Sequence, residues 1–145
     1  MNRLSYLVLF FTFLFVTQIS AQLLTITAEI KEPSGLEAGF GGVVAGVDFD
    51  QDGLPEIYAC NSNFVDRAYE LIPRIYKFEW NISTSSWDSV WCAVAPLESQ
   101  NTWPALTWGD LDKDQKPELY WAPVNYDPYP EVPRILVYEY PGDGS

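Results

Sequence analysis

Two stretches of the chain, "GVDFDQDGLPEIY" at 46–58 and "WGDLDKDQKPELY" at 108–120, carry their acids in the same order. Asp48 aligns with Asp110, Asp50 with Asp112, Asp52 with Asp114, Pro55 with Pro117 and Glu56 with Glu118, an offset of 62 residues. The likeness continues downstream, where "PRIYKFEW" at 73–80 matches "PRILVYEY" at 133–140. In both, apolar side chains fall at every second position: Tyr76, Phe78 and Trp80 in one, Leu136, Tyr138 and Tyr140 in the other. Alternation of period two is the pattern of a half-buried strand. A chain that repeats an acidic loop together with its flanking strands is built from one supersecondary unit used more than once.

Each unit reads as a short series of strands, with the units spanning about 40–96 and 102–145. In the first, Val43 to Val47 leads into the acidic loop, Glu56 to Cys60 leaves it, Arg74 to Trp80 follows a longer loop, and Trp87 to Val94 comes after the polar turn "NISTSS". The second offers Ala105 to Gly109, Glu118 to Ala122 and Arg134 to Tyr140, then reaches "PGDGS" with no fourth strand. Upstream, "LLTITAEI" at 23–30 alternates Leu24, Ile26, Ala28 and Ile30 and is expected to be the last strand of another unit. The proline-punctuated "WAPVNYDPYPEVPR" is expected to be loop, because proline removes ladder donors. The expected fold class is all-β: β-propeller blades of four antiparallel strands in an incomplete ring, about two blades plus an amino-terminal strand. Two blades cannot close a ring and would leave apolar faces and strand edges bare. Further blades are therefore expected from a longer chain, and this one alone is expected to associate.

The first residues have another character. Arg3 precedes an apolar run from Leu4 to Val16, followed by polar Thr17 and Gln18 and small Ser20 and Ala21. That is the layout of a secretory signal peptide, residues 1–21, cleaved after Ala21. The run is shorter than the roughly 20 residues that span a bilayer, so no stable membrane insertion is expected after cleavage. Residues 22–145 keep seven basic residues against all twenty acidic ones, a formal charge of −13. Such a surface repels nucleic acid and anionic lipid and attracts cations. With 48% of residues hydrophobic, the acidity marks a folded surface rather than disorder.

Secretion would place Cys60 and Cys92 in an oxidising compartment, where a disulfide is open to them. The strand assignment argues for two thiols instead, since second and fourth strands of one sheet lie about twice ~4.8 Å apart, beyond the roughly 7 Å reach of a bridge. The chain has no histidine, which removes imidazole-based nucleophile activation and imidazole-ligated zinc.

The acidic loops suit calcium. It takes six to eight hard oxygen ligands, and carboxylates at loop positions 1, 3 and 5 fold around one centre while the carbonyl of position 7 adds another. Here the donors are Asp48, Asp50, Asp52, the carbonyl of Leu54, and Glu56 at position 9; in the second loop they are Asp110, Asp112, Asp114, the carbonyl of Lys116, and Glu118. An EF-hand would need a glutamate at position 12, where Ala59 and Trp121 stand, and helical flanks. A dockerin would need helices and a shorter repeat. The competing reading, a solvated acidic turn, leaves three carboxylates repelling one another without compensation. Position 6 is Gly53 in the first loop and Gln115 in the second. If the turn is left-handed there, a side chain costs about 1 to 2 kcal/mol, so the second loop is expected to bind calcium more weakly.

These residues resemble the FG-GAP and VCBS repeats of integrin α-chain-like β-propellers, whose unit carries an aspartate-rich calcium loop between the first two strands of a blade. Phe40 and Gly41 are similar to the "FG" half of that signature, and Ala122 and Pro123 to the end of its "GAP" half. "YAC" replaces the GAP element in the first unit, and Trp103 and Pro104 replace Phe and Gly in the second. The resemblance covers roughly Leu23 to Tyr140 and implies a propeller of about seven blades with mainly structural calcium. It also implies a secreted binding, adhesion or scaffold module whose rim loops meet an extracellular protein or carbohydrate ligand. The alternative is part of a calcium-dependent polysaccharide lyase or another carbohydrate-active propeller enzyme, in which Lys77, Arg74, Arg134, a tyrosine or a carboxylate would serve as base. No spacing singles one out, so no catalytic residue is assigned. Trp80, Trp87, Trp91, Trp103, Trp108 and Trp121 are expected mostly to fill the space between blades, and "NIS" at 81–83 is a glycosylation acceptor triplet.

Overall fold

The computed structural model describes residues 25–33, 39–62, 72–96, 102–123 and 135–142, and every regular element among them is a strand. β1 is Phe40–Ala45, β2 Glu56–Asn61, β3 Arg74–Asn81 and β4 Ser86–Val94; β5 is Ala105–Gly109, β6 Glu118–Ala122 and β7 Leu136–Glu139. They form two antiparallel sheets, β1-β2-β3-β4 and β5-β6-β7, each with sequential neighbours paired. The all-β expectation holds, as does the count of four strands and three. β1 ends at Ala45 rather than Val47, because Gly46 takes φ 81 and turns the chain out of the ladder towards the acidic loop. The segment 1–21 lies outside the described residues, as do most of the long loops after β2 and β6.

Alternation decides which face each strand buries. On one face of the first sheet, Val44, Tyr58, Cys60 and Ile75 pack with Leu119 and Trp121 of the second, joined by Leu106, Leu136 and Tyr138. On its other face Ala59, Tyr76 and Phe78 form a smaller cluster with Phe40, Ile57 and Trp87. The register makes the stacking directional. Tyr58 is paired with Lys77 in the first sheet and Tyr120 with Val137 in the second, so these positions are equivalent. The first sheet turns the Tyr58 and Lys77 face inward, while the second turns the opposite set, Leu119 and Trp121, towards it. The sheets therefore stack in the same sense, front to back, and Val137, on the far face of the second, is 55% exposed.

The first strands of the two sheets approach most closely. Gly41 is an extra residue between the pairs Phe40 with Asn61 and Gly42 with Cys60, a β-bulge. A Cβ on Gly41 would lie 2.8 Å from Cγ of Pro104, just before β5, and one on Gly42 would lie 3.1 Å from Cβ of Leu106. Only glycine lets β1 and β5 come this near.

Two expectations are corrected. Residues 25–30 form no strand; no ladder of the described residues reaches them, and a strand without a partner leaves its backbone groups to solvent. Instead Ile30 packs on the Tyr76 and Phe78 face, Glu32 accepts a hydrogen bond from the Tyr76 hydroxyl, and Ile26 is exposed. Nor do the tryptophans mostly fill the interior. Val44, Tyr58, Cys60, Ile75 and Leu119 take that space with one fully buried indole, Trp121, while Trp103 and Trp108 are each about half exposed. No disulfide joins Cys60 to Cys92. Cys60 is paired across to Ile75 by way of β2 and Cys92 to Tyr76 by way of β4, so the thiols leave opposite faces of the sheet.

Candidate metal centres

The two acidic loops, between β1 and β2 and between β5 and β6, share four backbone-to-carboxylate hydrogen bonds, and the first adds one from Asp52 N–H to Asp48 Oδ1 at 3.1 Å that has no counterpart among the described residues of the second. Position 9 clasps position 2: Phe49 N–H donates to Glu56 Oε2 at 2.9 Å, and Leu111 N–H to Glu118 Oε2 at 2.8 Å. Position 1 clasps position 6, with Gly53 N–H to Asp48 Oδ2 at 3.0 Å and Gln115 N–H to Asp110 Oδ2 at 3.2 Å. Position 3 accepts from position 5 at 3.3 and 3.1 Å, and position 5 from position 7 at 2.7 and 2.9 Å. Each carboxylate is thus turned inward by a backbone donor of its own loop. Positions 4 and 6 are left-handed in both, with φ 60 and 66 at Gln51 and Lys113, and 83 and 75 at Gly53 and Gln115. The glycine at position 6 answers a real demand of the turn, and Gln115 adopts the same conformation against its side chain's preference.

The carboxylates gather into overlapping triads whose donor atoms lie within 4.8 Å of one another: Asp48 with Asp50 and Glu56, and Asp50 with Asp52 and Glu79, in the first loop. The second loop gathers Asp110 with Asp112 and Asp114, and Asp112 with Glu118 and Glu139. All eight expected side-chain donors are brought together, with Asp50 and Asp112 shared between triads. For Leu54 and Lys116 the backbone N–H groups point to Asp52 and Asp114. Such all-oxygen sets match the hard-donor preference of calcium. Buried Oδ1 of Asp110 has no hydrogen-bond partner, an acceptor that a cation at this loop would satisfy.

Glu79 and Glu139 join these triads from β3 and β7, outside the spacing of the acidic loops. They stand opposite Glu56 and Glu118 in the ladder, so each sheet places two carboxylates directly across from each other. Like charges so placed destabilise a sheet unless a cation lies between them. Their signal was in the sequence, since "KFEW" and "VYEY" align an acid just before the last aromatic.

In the first sheet that cation is Lys77. Its Nζ lies 2.5 Å from Asp50 Oδ2, 2.6 Å from Glu56 Oε1 and 2.5 Å from Glu79 Oε1, with the residue 8% exposed. Burial alone would lower the lysine pKa, but hydrogen bonds to the three carboxylates outweigh it and raise it above the ordinary value. Burial also acts on the acids, raising Glu56, whereas for Asp50 the contacts with Lys77 prevail and lower it. In the second sheet the ammonium is Lys116, exposed, 3.1 Å from Glu139 and 3.7 Å from Asp114. Tyr120 donates to Glu118 at 2.7 Å, and desolvation with this bond pushes the phenol up to about 12.

Between the sheets, beside the first loop, lies a cleft of about 440 Å³ lined by Asp50, Lys77 and Glu79 on one side and Tyr138, Glu139 and Tyr140 on the other. The Trp91 ring meets Tyr138 edge-on at 5.7 Å across it. Comparison of the chain with protein-family models, with curated proteins and with solved structures finds no match in any of the three.

Proposed function

We propose that this chain is a secreted calcium-binding repeat module, two adjoining blades of an FG-GAP/VCBS-like propeller, in which calcium chiefly holds hairpins in place and the loop rim engages an extracellular protein or carbohydrate. The observation that carries this reading is the matching set of four backbone-to-carboxylate hydrogen bonds in two acidic loops whose inward carboxylates gather within 4.8 Å. The front-to-back stacking, with β1 close against β5, is what successive blades around an axis require. Asp48, Asp50, Asp52, Glu56 and the Leu54 carbonyl would hold one ion, and Asp110, Asp112, Asp114, Glu118 and the Lys116 carbonyl another. A bound ion would supply charge neutralisation at the hairpin, not chemistry.

The lyase alternative needs a base, and Lys77 is a poor one, since three carboxylates hold its ammonium charged. The test is thermal unfolding of the chain with calcium and with a chelator, beside a magnesium control. A hundredfold excess of calcium over its Kd contributes about 2.7 kcal/mol per site, a shift on the order of 10 °C. Equal melting temperatures in calcium and chelator, with no binding heat, would sink the proposal.

A further inference from the structure

We infer that Lys77 is a tethered counter-ion that takes up, in the first loop, carboxylate oxygens that in the second are left to a divalent cation from solution. The inference rests on the calcium reading above and goes beyond it: it reverses the order of affinity that position 6 alone suggests, making the second loop the tighter and more calcium-dependent site.

Both sheets set a glutamate pair face to face, Glu56 with Glu79 and Glu118 with Glu139, and both add an aspartate, Asp50 or Asp112, to the same group. The first sheet answers with a cation of its own, an ammonium within 2.6 Å of all three acids. At the matching register the second sheet has Val137, opposite Tyr120 as Lys77 is opposite Tyr58. Lys116 reaches Glu139 and Asp114 from the outside, and among the described residues no ammonium makes an ion pair with Asp112 or Glu118. One of two equivalent sites is therefore occupied by the protein's own positive charge, while the other keeps its acids facing one another and an unpartnered carboxylate oxygen, Oδ1 of Asp110, at the same loop. Calcium entering the first loop must displace an ammonium from Asp50 and Glu56, two of its four carboxylates. At the second loop the described residues offer only the exposed Lys116, 3.7 Å from Asp114 and on none of Asp110, Asp112 or Glu118, and the repulsion among those acids makes calcium binding more favourable.

The experiment is calorimetric titration of the full chain with calcium chloride. The first loop is read in an Asp112→Asn background and the second in an Asp50→Asn background. Lys77→Met is expected to tighten the first loop's Kd at least tenfold, and Val137→Lys, at an exposed position, to weaken the second loop's Kd at least tenfold. If Lys77→Met folds only in calcium, the ion has replaced the ammonium, which supports the inference. If Lys77→Met does not fold in either condition, Val137→Lys decides. Calcium binding that ignores both exchanges overturns the inference and leaves the calcium reading standing. No calcium bound by the parent chain or any variant overturns both.

Discussion

Gly41→Ala tests whether the two sheets meet as described, because its sign depends on that contact. Gly41 has no left-handed φ, so alanine is compatible with its backbone. In open space the exchange would stabilise the chain by about 0.4–1 kcal/mol, by narrowing the unfolded ensemble. Here the new Cβ would stand 2.8 and 2.9 Å from Cγ and Cδ of Pro104 and 3.1 Å from Cβ of Ser62. A proline ring cannot swing aside as a flexible side chain can, so β1 and the start of β5 must separate. Forcing a methyl into a packed contact costs about 1–3 kcal/mol, which leaves a net destabilisation on the order of 1 kcal/mol. With a urea m-value of about 1.5 kcal/mol/M, the midpoint falls by roughly 0.7 M. Removing the obstacle should recover most of the loss, so Gly41→Ala combined with Pro104→Ala is expected to show a favourable coupling of about 1 kcal/mol. A midpoint that rises on Gly41→Ala, or no coupling to Pro104, would refute the close approach of β1 to β5.

The acidic turn offers a cleaner backbone test: a Cβ on Gly53 meets nothing within 4 Å, yet φ is +83, so Gly53→Ala is expected to lower stability by about 1 kcal/mol through conformation alone. The reverse exchange, Gln115→Gly, should be neutral or stabilising in the same denaturant titration, and losses of equal size from both would contradict a shared left-handed turn. The alkaline limb of stability also has a stated sign. Burial pushes the Cys60 thiol from 9.0 up to about 11, desolvation and Glu118 push Tyr120 to about 12, and Lys77 is raised above 10.5. A group whose folded pKa is raised contributes its full stabilisation below the unfolded value and loses it as pH climbs to the folded one. Melting temperature should therefore hold up to about pH 9 and fall from there to pH 11, with Cys60 contributing on the order of 3 kcal/mol to the loss. Cys60→Ala should flatten that slope, and a melting temperature constant over this window would overturn the assignment.

What the sequence made legible was whatever depends on local pattern. Alternating Tyr76 and Phe78 marked a buried strand face, and the spacing of Asp48, Asp50 and Asp52 marked a loop whose carboxylates converge, because side-chain period and turn geometry act over a few residues. The segment at 25–30 alternates just as well and forms no strand, since a ladder also needs a neighbouring edge, and alternation carries no information about that. Lys77 shows the same limit from the other side. In "PRIYKFEW" it sits at a polar position of an alternating strand and would be expected to be solvated. Only the pairing of β2 with β3, and the acidic loop folding back over them, brings three carboxylates to its ammonium. Glu79 and Glu139 were visible as aligned residues, but their opposition to Glu56 and Glu118 is a property of register.

That opposition explains why the acidic loop and the sheet beneath it stand or fall together. Glu56 binds the Phe49 amide with one oxygen and Lys77 with the other, so a single buried side chain ties the loop's entrance, the second strand and the third. Taking away the ammonium would leave Glu56 facing Glu79 with no counter-charge, and both strand pairing and loop closure would then oppose that repulsion. In the second sheet the same geometry is held with Leu111 and Tyr120 on Glu118, both neutral donors to one oxygen. Neutral hydrogen bonds position a carboxylate but do not offset its charge against Glu139. Lys116 answers Glu139 from the surface, and the electrostatic demand left at Asp112 and Glu118 is one that a hard divalent ion would meet with the oxygen ligands already turned inward.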